Sequence, residues 1–537
     1  MPKRSALIVL LMSTGLAIGG ARGDHGRIAE VLSGEAQLFV DDYLISAQRD
    51  LVRTLHQPRK DHDGLEPVIA LDDEFGDVRG TLEANGTILY DPTLDKWVMF
   101  ALAFASSWPG ESADRVRLYR LTSPDAMTWV KGDNGSPQRI DIDLFDPASG
   151  TSATNIDLFS CTYDAADTAH PYKGWLHFAN WGDTREGTYY MRAADGIHWE
   201  RGPQIMVAGS RTLEQDGRHM SGSGDVTTFY YDQRENRFLA NVRFAAVANV
   251  ENGNRLRSRG YLFVNRLDQP IDLTRIERLN LVPPAARRNG DEPFDEYYSA
   301  TAWRYGSMWL GGLRVWHGNG DYPYSAAGGA YMKLVSSRDG LHWQKVPFDN
   351  EDGHGEVFVP NGPEGGNNSR SDGGYMTEFS NPPLRIGDEL IYYYGASSWG
   401  KNHPAAYRVS GGGIFRARLR PDGFVSVDRG SLTTRPLHFE GTTLYVNGVG
   451  PIDVEVLSAG SDPLARATVH GDSLRHEVRF GGGTLRELAP DGVARLRFSI
   501  HEGGQLYSFT VGAAEILGLG RATEPVDLSR GPQLFVD

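Results

Sequence analysis

The sequence predicts an all-β protein, a five-bladed β-propeller followed by a C-terminal β-sandwich. The first observation is a recurring turn in which a small residue, an aspartate and a tryptophan keep one spacing. The copies are Ser123-Pro-Asp125-Ala-Met-Thr-Trp129, Ala193-Ala-Asp195-Gly-Ile-His-Trp199 and Ser337-Arg-Asp339-Gly-Leu-His-Trp343. Their aspartates stand 70 and 144 positions apart (195 − 125 and 339 − 195), one and two steps of a period near 70. A fixed period of this kind marks a repeat architecture. The second observation is that each copy follows an alternating run of strand type: Val116-Arg-Leu-Tyr-Arg-Leu121, Thr188-Tyr-Tyr-Met-Arg192 and Ala330-Tyr-Met-Lys-Leu-Val335. Asp-Gly favours a tight turn and Trp favours strands, so each copy is expected to be a hairpin joining two strands. The third is composition: 64 glycines and 10% aromatic residues among 537 suit many strands with tight turns.

In chain order, Met1-Pro-Lys3-Arg4-Ser5, an apolar run from Ala6 to about Ile18 and the small Gly19-Gly20-Ala21 are expected to form a secretory signal over residues 1–21. The run is too short for a comfortable membrane span, and no later stretch is long and apolar enough for one. The mature protein is therefore expected to be secreted or periplasmic. Gln37-Leu-Phe-Val-Asp-Asp42 opens the folded part, and residues 35–430 divide into five similar passages, each beginning with an apolar inner strand. The first pairs Gly86-Thr-Ile-Leu-Tyr-Asp91 with Lys96-Trp-Val-Met-Phe-Ala101, and the second pairs Leu158-Phe-Ser-Cys-Thr-Tyr163 with Gly174-Trp-Leu-His-Phe-Ala179. The third pairs Val226-Thr-Thr-Phe-Tyr-Tyr-Asp232 with Arg237-Phe-Leu-Ala-Asn-Val242. The fourth pairs Ser299-Ala-Thr-Ala-Trp303 with Ser307-Met-Trp-Leu-Gly311, and the fifth pairs Thr377-Glu-Phe379 with Glu389-Leu-Ile-Tyr-Tyr-Tyr394. Passages three and five replace the tryptophan turn by Asn265-Arg-Leu-Asp268 and Arg420-Pro-Asp-Gly423. Five antiparallel four-stranded units arranged radially leave few exposed strand edges.

Near Asp428 the pattern changes to short alternating strands such as Ile452-Asp-Val-Glu-Val-Leu457 and Ala494-Arg-Leu-Arg-Phe-Ser-Ile500, expected to form a sandwich over residues 431–517. In the tail, 518–537, Gln533-Leu-Phe-Val-Asp537 repeats Gln37-Leu-Phe-Val-Asp41 and reads as an edge strand or the start of a second copy.

A formal charge of −15 excludes the basic footprint that nucleic-acid binding needs. The single cysteine, Cys161, is expected to be a buried thiol in a strand. His56, His62, His219, His317, His354 and His403 show no metal-ligand spacing, so no zinc site is expected. Calcium remains compatible with a carboxylate-rich funnel, although no loop has the EF-hand pattern. Gly362-Pro-Glu-Gly-Gly366 and Gly411-Gly-Gly413 lack the strand-to-helix setting of a phosphate loop.

The signal, the Leu-Phe-Val-Asp-Asp-Tyr opening, the Ser-x-Asp-Gly-x-x-Trp hairpins and the C-terminal strands from Thr433-Thr-Arg-Pro-Leu437 resemble exported bacterial proteins of planctomycete type. These are described as glycoside hydrolase family 32/43-like five-bladed propellers. The resemblance implies action on a glycan. The family 32 signature Trp-Met-Asn-Asp-Pro-Asn-Gly is absent, as are an Arg-Asp-Pro and a Glu-Cys motif, which argues against fructan hydrolysis.

In such propellers the inner strands line a central funnel, and hydrolysis needs two carboxyl groups across the scissile bond. The acids at the inner strands are Glu83 (with Asp77 as rival), Asp157, Asp225, the pair Asp295 and Glu296, and Asp372 and Glu378. The resemblance implies Glu83 as general base, Asp157 as the orienting group and Asp225 or Glu296 as the acid. Asn155 and Glu378 complete the polar lining, and Trp108, Trp181, Trp316 and Trp399 fall in insertions where a ring can stack on a sugar. Arg79, Arg243 and Arg314 are candidate contacts for a carboxylate or sulfate, with pairing to a neighbouring acid as the plainer reading.

The tryptophan turns are expected to be structural, with Asp capping the hairpin and Trp packing between units. Two other functions compete with hydrolysis: a propeller that binds a glycan or protein without cleaving it, and a lyase using Tyr297, Tyr298 or His317 beside a cation.

Overall fold

The structure is a computed structural model that describes residues 28–75, 80–84, 88–105, 116–131, 137–140, 142, 156–179, 184–232, 234–249, 254–283, 295–318, 328–380, 382–400, 412–512 and 526–527. The expected signal segment and the second Gln-Leu-Phe-Val-Asp copy lie outside these residues. The protein is all-β: among the described residues the only α-helices are the single turns Gly366–Ser369 and Leu485–Leu488. No helix among them is long and apolar enough to cross a membrane.

Antiparallel units follow one another along the chain: three separate sheets, then a 13-stranded sheet in which a fourth and a fifth group of strands are joined at Ala330 and Tyr375. In the first, Gly80–Glu83 and Ile88–Asp91 both pair with Lys96–Ala105, which pairs with Val116–Ser123 and through it with Gln138–Ile140. The second runs Ile156–Tyr163, Tyr172–Phe178, Gly187–Ala193, Trp199–Val207. In the third, Arg218–Gly222 and Thr228–Asp232 share Arg237–Asn249 as partner, and Asn254–Val264 lies beyond it. The fourth places Asp295–Ala300 and Trp303–Tyr305 against Met308–Gly318, followed by Gly328–Ser337. The fifth places Tyr375–Phe379 and Leu384–Ile386 against Glu389–Ser397, followed by Gly412–Leu419.

The fifth unit takes its outer strand from elsewhere in the chain. Arg59–Lys60 and Ile69–Ala70 pair with Gly412–Leu419, so the N-terminal part of the chain completes the last unit. Side chains fasten this join. Asp61 receives Nε of Arg416 and of Arg418, each at 2.6 Å. Fully buried Asp372 receives Lys60 Nζ at 2.6 Å, Tyr394 Oη at 2.8 Å and the Gly362 amide at 3.0 Å.

The tryptophan turns do what the sequence implies. Asp195 Oδ1 accepts the amides of Ile197 (2.8 Å) and His198 (2.9 Å), and Asp339 Oδ1 those of Leu341 and His342 (both 2.8 Å). Each indole then packs into the unit before its own. Trp199 meets Phe100 at 5.8 Å, Trp343 stacks on Tyr261 at 4.9 Å, and Trp129 of the first unit meets Tyr393 of the fifth at 5.9 Å. Cys161 is a buried free thiol whose titration burial pushes well up.

The remaining strands form one 11-stranded sheet. It contains Val425–Thr434 and the strands from Leu437–Phe439 to Gln505–Gly512, but also Ala29–Val31, Gln37–Leu38 and Ile45–Leu55. The boundaries at 35 and 430 follow chain order, whereas pairing does not: residues 29–55 sit with the C-terminal strands. Alternation alone tells that a segment is a strand and leaves its partner open. Val526–Asp527, the described part of the tail, pairs with Leu384–Ile386 at the edge of the fifth unit.

Candidate functional site

Asp157, Asp225 and Glu378 stand where their strands are irregular, whereas Glu83 and Glu296 keep regular register opposite Leu102 and Trp316. In the second unit the register slips between Ile156 and Leu158, leaving half-buried Asp157 as the extra residue. In the fourth it slips between Tyr297 and Ser299, around Tyr298, and in the fifth between Met376 and Phe379, around Glu378. A bulge of this kind re-aims a side chain out of the alternating pattern. In the third unit Asp225 occupies the break between Arg218–Gly222 and Thr228–Asp232. There Ser223 and Val226 take φ of 55° and 56°. The left-handed region is costly for β-branched Val226. Arg259 Nη2 holds its carbonyl at 2.6 Å. A Cβ at residue 224 would stand 2.0 Å from Arg243 Nη1, so any other residue there displaces that guanidinium.

Three guanidiniums meet these carboxylates. Arg243 Nη2 lies 3.0 Å from Asp225 Oδ1, and Arg257 Nη2 lies 3.8 Å from Asp225 Oδ2. Arg257 also donates to Glu296 Oε2, from Nη1 at 2.8 Å and from its backbone amide at 3.3 Å. Arg314 Nη2 lies 3.1 Å from Glu378 Oε1. Tyr298 joins the two halves: the guanidinium carbons of Arg257 and Arg314 lie over its ring at 4.1 and 4.2 Å. The Tyr375 ring lies 5.1 Å from Arg314 and 6.2 Å from Tyr298. Glu83 is within electrostatic reach of both Arg314 and Tyr375. Burial opposes the charge on Arg314, but Glu378, Tyr375, Tyr298 and Glu83 outweigh it and raise its titration. His177, on the second unit, lies in the field of Asp225 and Arg243. Burial pushes its imidazole down to about 4, so it is neutral near pH 7.

The third, fourth and fifth units therefore build one polar network, with Glu83 of the first and His177 of the second in its electrostatic field. Glu83 comes from the first unit and His177 from the second. Asp225, Arg243 and Arg257 belong to the third, Glu296, Tyr298 and Arg314 to the fourth, and Tyr375 and Glu378 to the fifth. Exposure sorts the acids: Asp225 is 19% exposed and Glu83 9%, against 1% for Glu296 and 2% for Glu378.

Of the residues the sequence points to, the structure brings Asp225, Glu296 and Arg243 together around Arg257, and Arg314 to Glu378. Asp157 stands on the neighbouring inner strand. Arg79, Asn155 and Trp181 lie outside the described residues, as do Asp77 and Trp108. Trp316 departs from expectation. The strand Met308–Gly318 runs on past it, so the indole is fully buried against the axis cluster of Val226, Tyr298, Ala330 and Tyr375 and cannot stack on a sugar at a rim. Asp372 belongs to the N-terminal join, and Asp295 pairs with His317 Nδ1 at 2.7 Å. Among the described residues no group of three or more His, Cys, Asp and Glu could hold a metal ion; guanidiniums are the counter-ions instead.

Arg257, Arg259, Tyr298, Tyr375 and His177 were not singled out by the sequence as lining the site, although Tyr298 was weighed as a lyase base. The signal for the arginines was the alternation Arg257-Ser-Arg259, which puts two cations on one face of a strand.

No protein-family model matches the chain, and no curated protein matches it. Solved structures do resemble it. One, described as a glycoside hydrolase, is 12% identical over 68% of this chain and 92% of its own, with a TM-score of 0.41. Zg3597, a family 117 glycoside hydrolase of the marine bacterium Zobellia galactanivorans, is 11% identical over 68% and 90%, with a TM-score of 0.36. A family 43 arabinoxylan arabinofuranohydrolase from Bacillus subtilis is 11% identical over 83% and 99%, with a TM-score of 0.35. All three are glycoside hydrolases.

Proposed function

We propose that the protein is an exported glycoside hydrolase of family 32/43-like type, with residues 1–21 as its signal peptide. The five units are the blades of a propeller, and the 11-stranded sheet is an accessory sandwich. The observation that carries the reading is a carboxylate-rich network built by the third, fourth and fifth units, with Glu83 and His177 in its field. Hydrolysis of a glycosidic bond needs one carboxyl to protonate the leaving oxygen and a second to activate water or attack the sugar. Glu83 is assigned as the base and Asp157 as the group that orients it. Asp225 is preferred to Glu296 as the acid because it is the more exposed, while Glu296 is enclosed and committed to Arg257. Glu296 then positions Arg257, which in turn flanks Asp225.

The test is turnover of a panel of nitrophenyl glycosides and polysaccharides by E83Q, D157N, D225N and E296Q. Loss of a general acid or base costs about 10²–10⁴-fold in rate. Undiminished turnover in E83Q and D225N would overturn the assignment. The second reading, a propeller that binds a glycan without cleaving it, is favoured by one observation: Asp225, Glu296 and Glu378 are each ion-paired to an arginine. Under that reading wild-type protein binds a glycan and releases no product from it.

A further inference from the structure

We infer that the inner-strand site takes a sugar carrying an anionic group, a carboxylate or a sulfate, seated against the arginines of the third and fourth units. This rests on the glycan reading above and narrows the class of glycan. The cations of the site cluster: Arg243, Arg257, Arg259 and Arg314 all come from the third and fourth units, which also supply Asp225 and Glu296, while Glu83 and Asp157 come from the first and second.

Three features of these arginines exceed what internal pairing requires. Arg243 and Arg259 are direct cross-strand partners, and like charges set opposite one another on adjacent strands destabilise a sheet. Arg259 is fully buried without a carboxylate partner. Its hydrogen bonds run to Asn241 Oδ1 (2.8 Å) and to the carbonyls of Tyr298 (3.0 Å), Val226 (2.6 Å) and Asn241 (3.2 Å), all neutral. An uncompensated buried charge is strongly unfavourable. Burial draws this guanidinium down to about 9, and Arg243 and Arg314 add to the effect against Tyr261 and Glu378. Finally, Arg314 is 2% exposed, and its Nε and Nη1 have no hydrogen-bond partner among the described residues. Buried donors of this kind are satisfied by a ligand or by ordered water.

An anion answers all three. It lies between guanidiniums that otherwise repel, compensates Arg259 through space, and supplies acceptor oxygens. Arg243 and Arg257, 19% and 10% exposed, flank Asp225 and are the accessible contacts, and a guanidinium grips a carboxylate or sulfate with paired hydrogen bonds. An anionic group that engages Arg243 also loosens the ion pair at Asp225, the carboxylate assigned to proton transfer.

The test compares charged and neutral forms of the same sugars on the whole protein by titration calorimetry. The probes are trigalacturonate against its methyl ester, and a sulfated galactan oligosaccharide against its desulfated form. One charged form is expected to bind at least ten-fold more tightly than its neutral counterpart, and which one it is tells carboxylate from sulfate. R243Q is expected to remove the preference and R243K to keep part of it. The comparison of sugars on unaltered protein decides the matter even where a variant misfolds. Equal binding of charged and neutral forms, or binding of neither charged probe at millimolar concentration, overturns the inference. Cleavage of neutral glycans with no preference for the anion overturns it while leaving the hydrolase reading intact. Selective binding of the anion without cleavage supports it and removes the hydrolase reading.

Discussion

The inner-strand site and the C-terminal sheet bury their side chains on opposite terms. The sheet closes over a dry core in which Phe39, Phe498 and Phe509 meet at 5.7–6.1 Å among Val427, Leu432, Val454 and Leu496. The site buries Arg257, Arg259, Arg314, Glu296 and Glu378, charges whose desolvation consumes much of what their pairing returns. A core built for stability has no use for such groups. Their concentration between the third, fourth and fifth units identifies the region whose composition stability does not explain, and the strained φ of Val226 beside Asp225 belongs to the same pattern.

The contrast predicts which variants touch activity and which touch stability. The largest effect is expected at the site: E83Q and D225N lower turnover about 10²–10⁴-fold, and E83Q does so with little change in chemical denaturation because the amide keeps the shape of the acid. Equal losses of stability and activity would erase the distinction between the regions. The reverse is expected for Phe509→Ala in the sheet. It should cost about 3–5 kcal/mol of unfolding free energy, with kcat per folded molecule unchanged.

A smaller effect falls on the join that completes the fifth unit. Burial opposes the charge on Asp61, but the hydrogen bonds and charges of Arg418 and Arg416 outweigh it and hold the carboxyl below its ordinary 3.8. Since the folded value is depressed, Asp61 contributes stability above the unfolded value and loses it as pH falls through the folded one. D61N should cost about 1 kcal/mol at pH 7, solvent screening included, and should flatten the fall in stability below about pH 4. The smallest effect is Asp339→Ala, which removes the acceptor for two turn amides and should cost about 1 kcal/mol or less with no change in kcat. A change in kcat there would mean that the tryptophan turn does more than join strands.

These comparisons also show what could be read in advance. The turns were legible because Asp, Gly and Trp act within seven residues, and Asp195 and Asp339 need only their own following amides. The acids of the inner strands stood out in the sequence as carboxylates beside apolar runs, Glu83 at the end of Gly80–Glu83 and Asp225 just before Thr228–Asp232. Arg257 and Arg259 did not, since alternating arginines in a strand look like a solvated face until the facing strand is known. Trp316 went the other way, read into a rim insertion because the length of its strand was not visible locally.

The sequence by itself determined the elements: strands, turns, the period near 70 and the class of residue at each inner strand. Local alternation and turn chemistry encode these, and they need no distant partner. The tertiary structure alone decided that residues 59–70 complete the fifth unit, that residues 29–55 join the C-terminal sheet, and that arginines from two units meet acids from several. Those outcomes depend on which strand lies beside which, and pairing between segments hundreds of positions apart leaves no mark on either segment read alone.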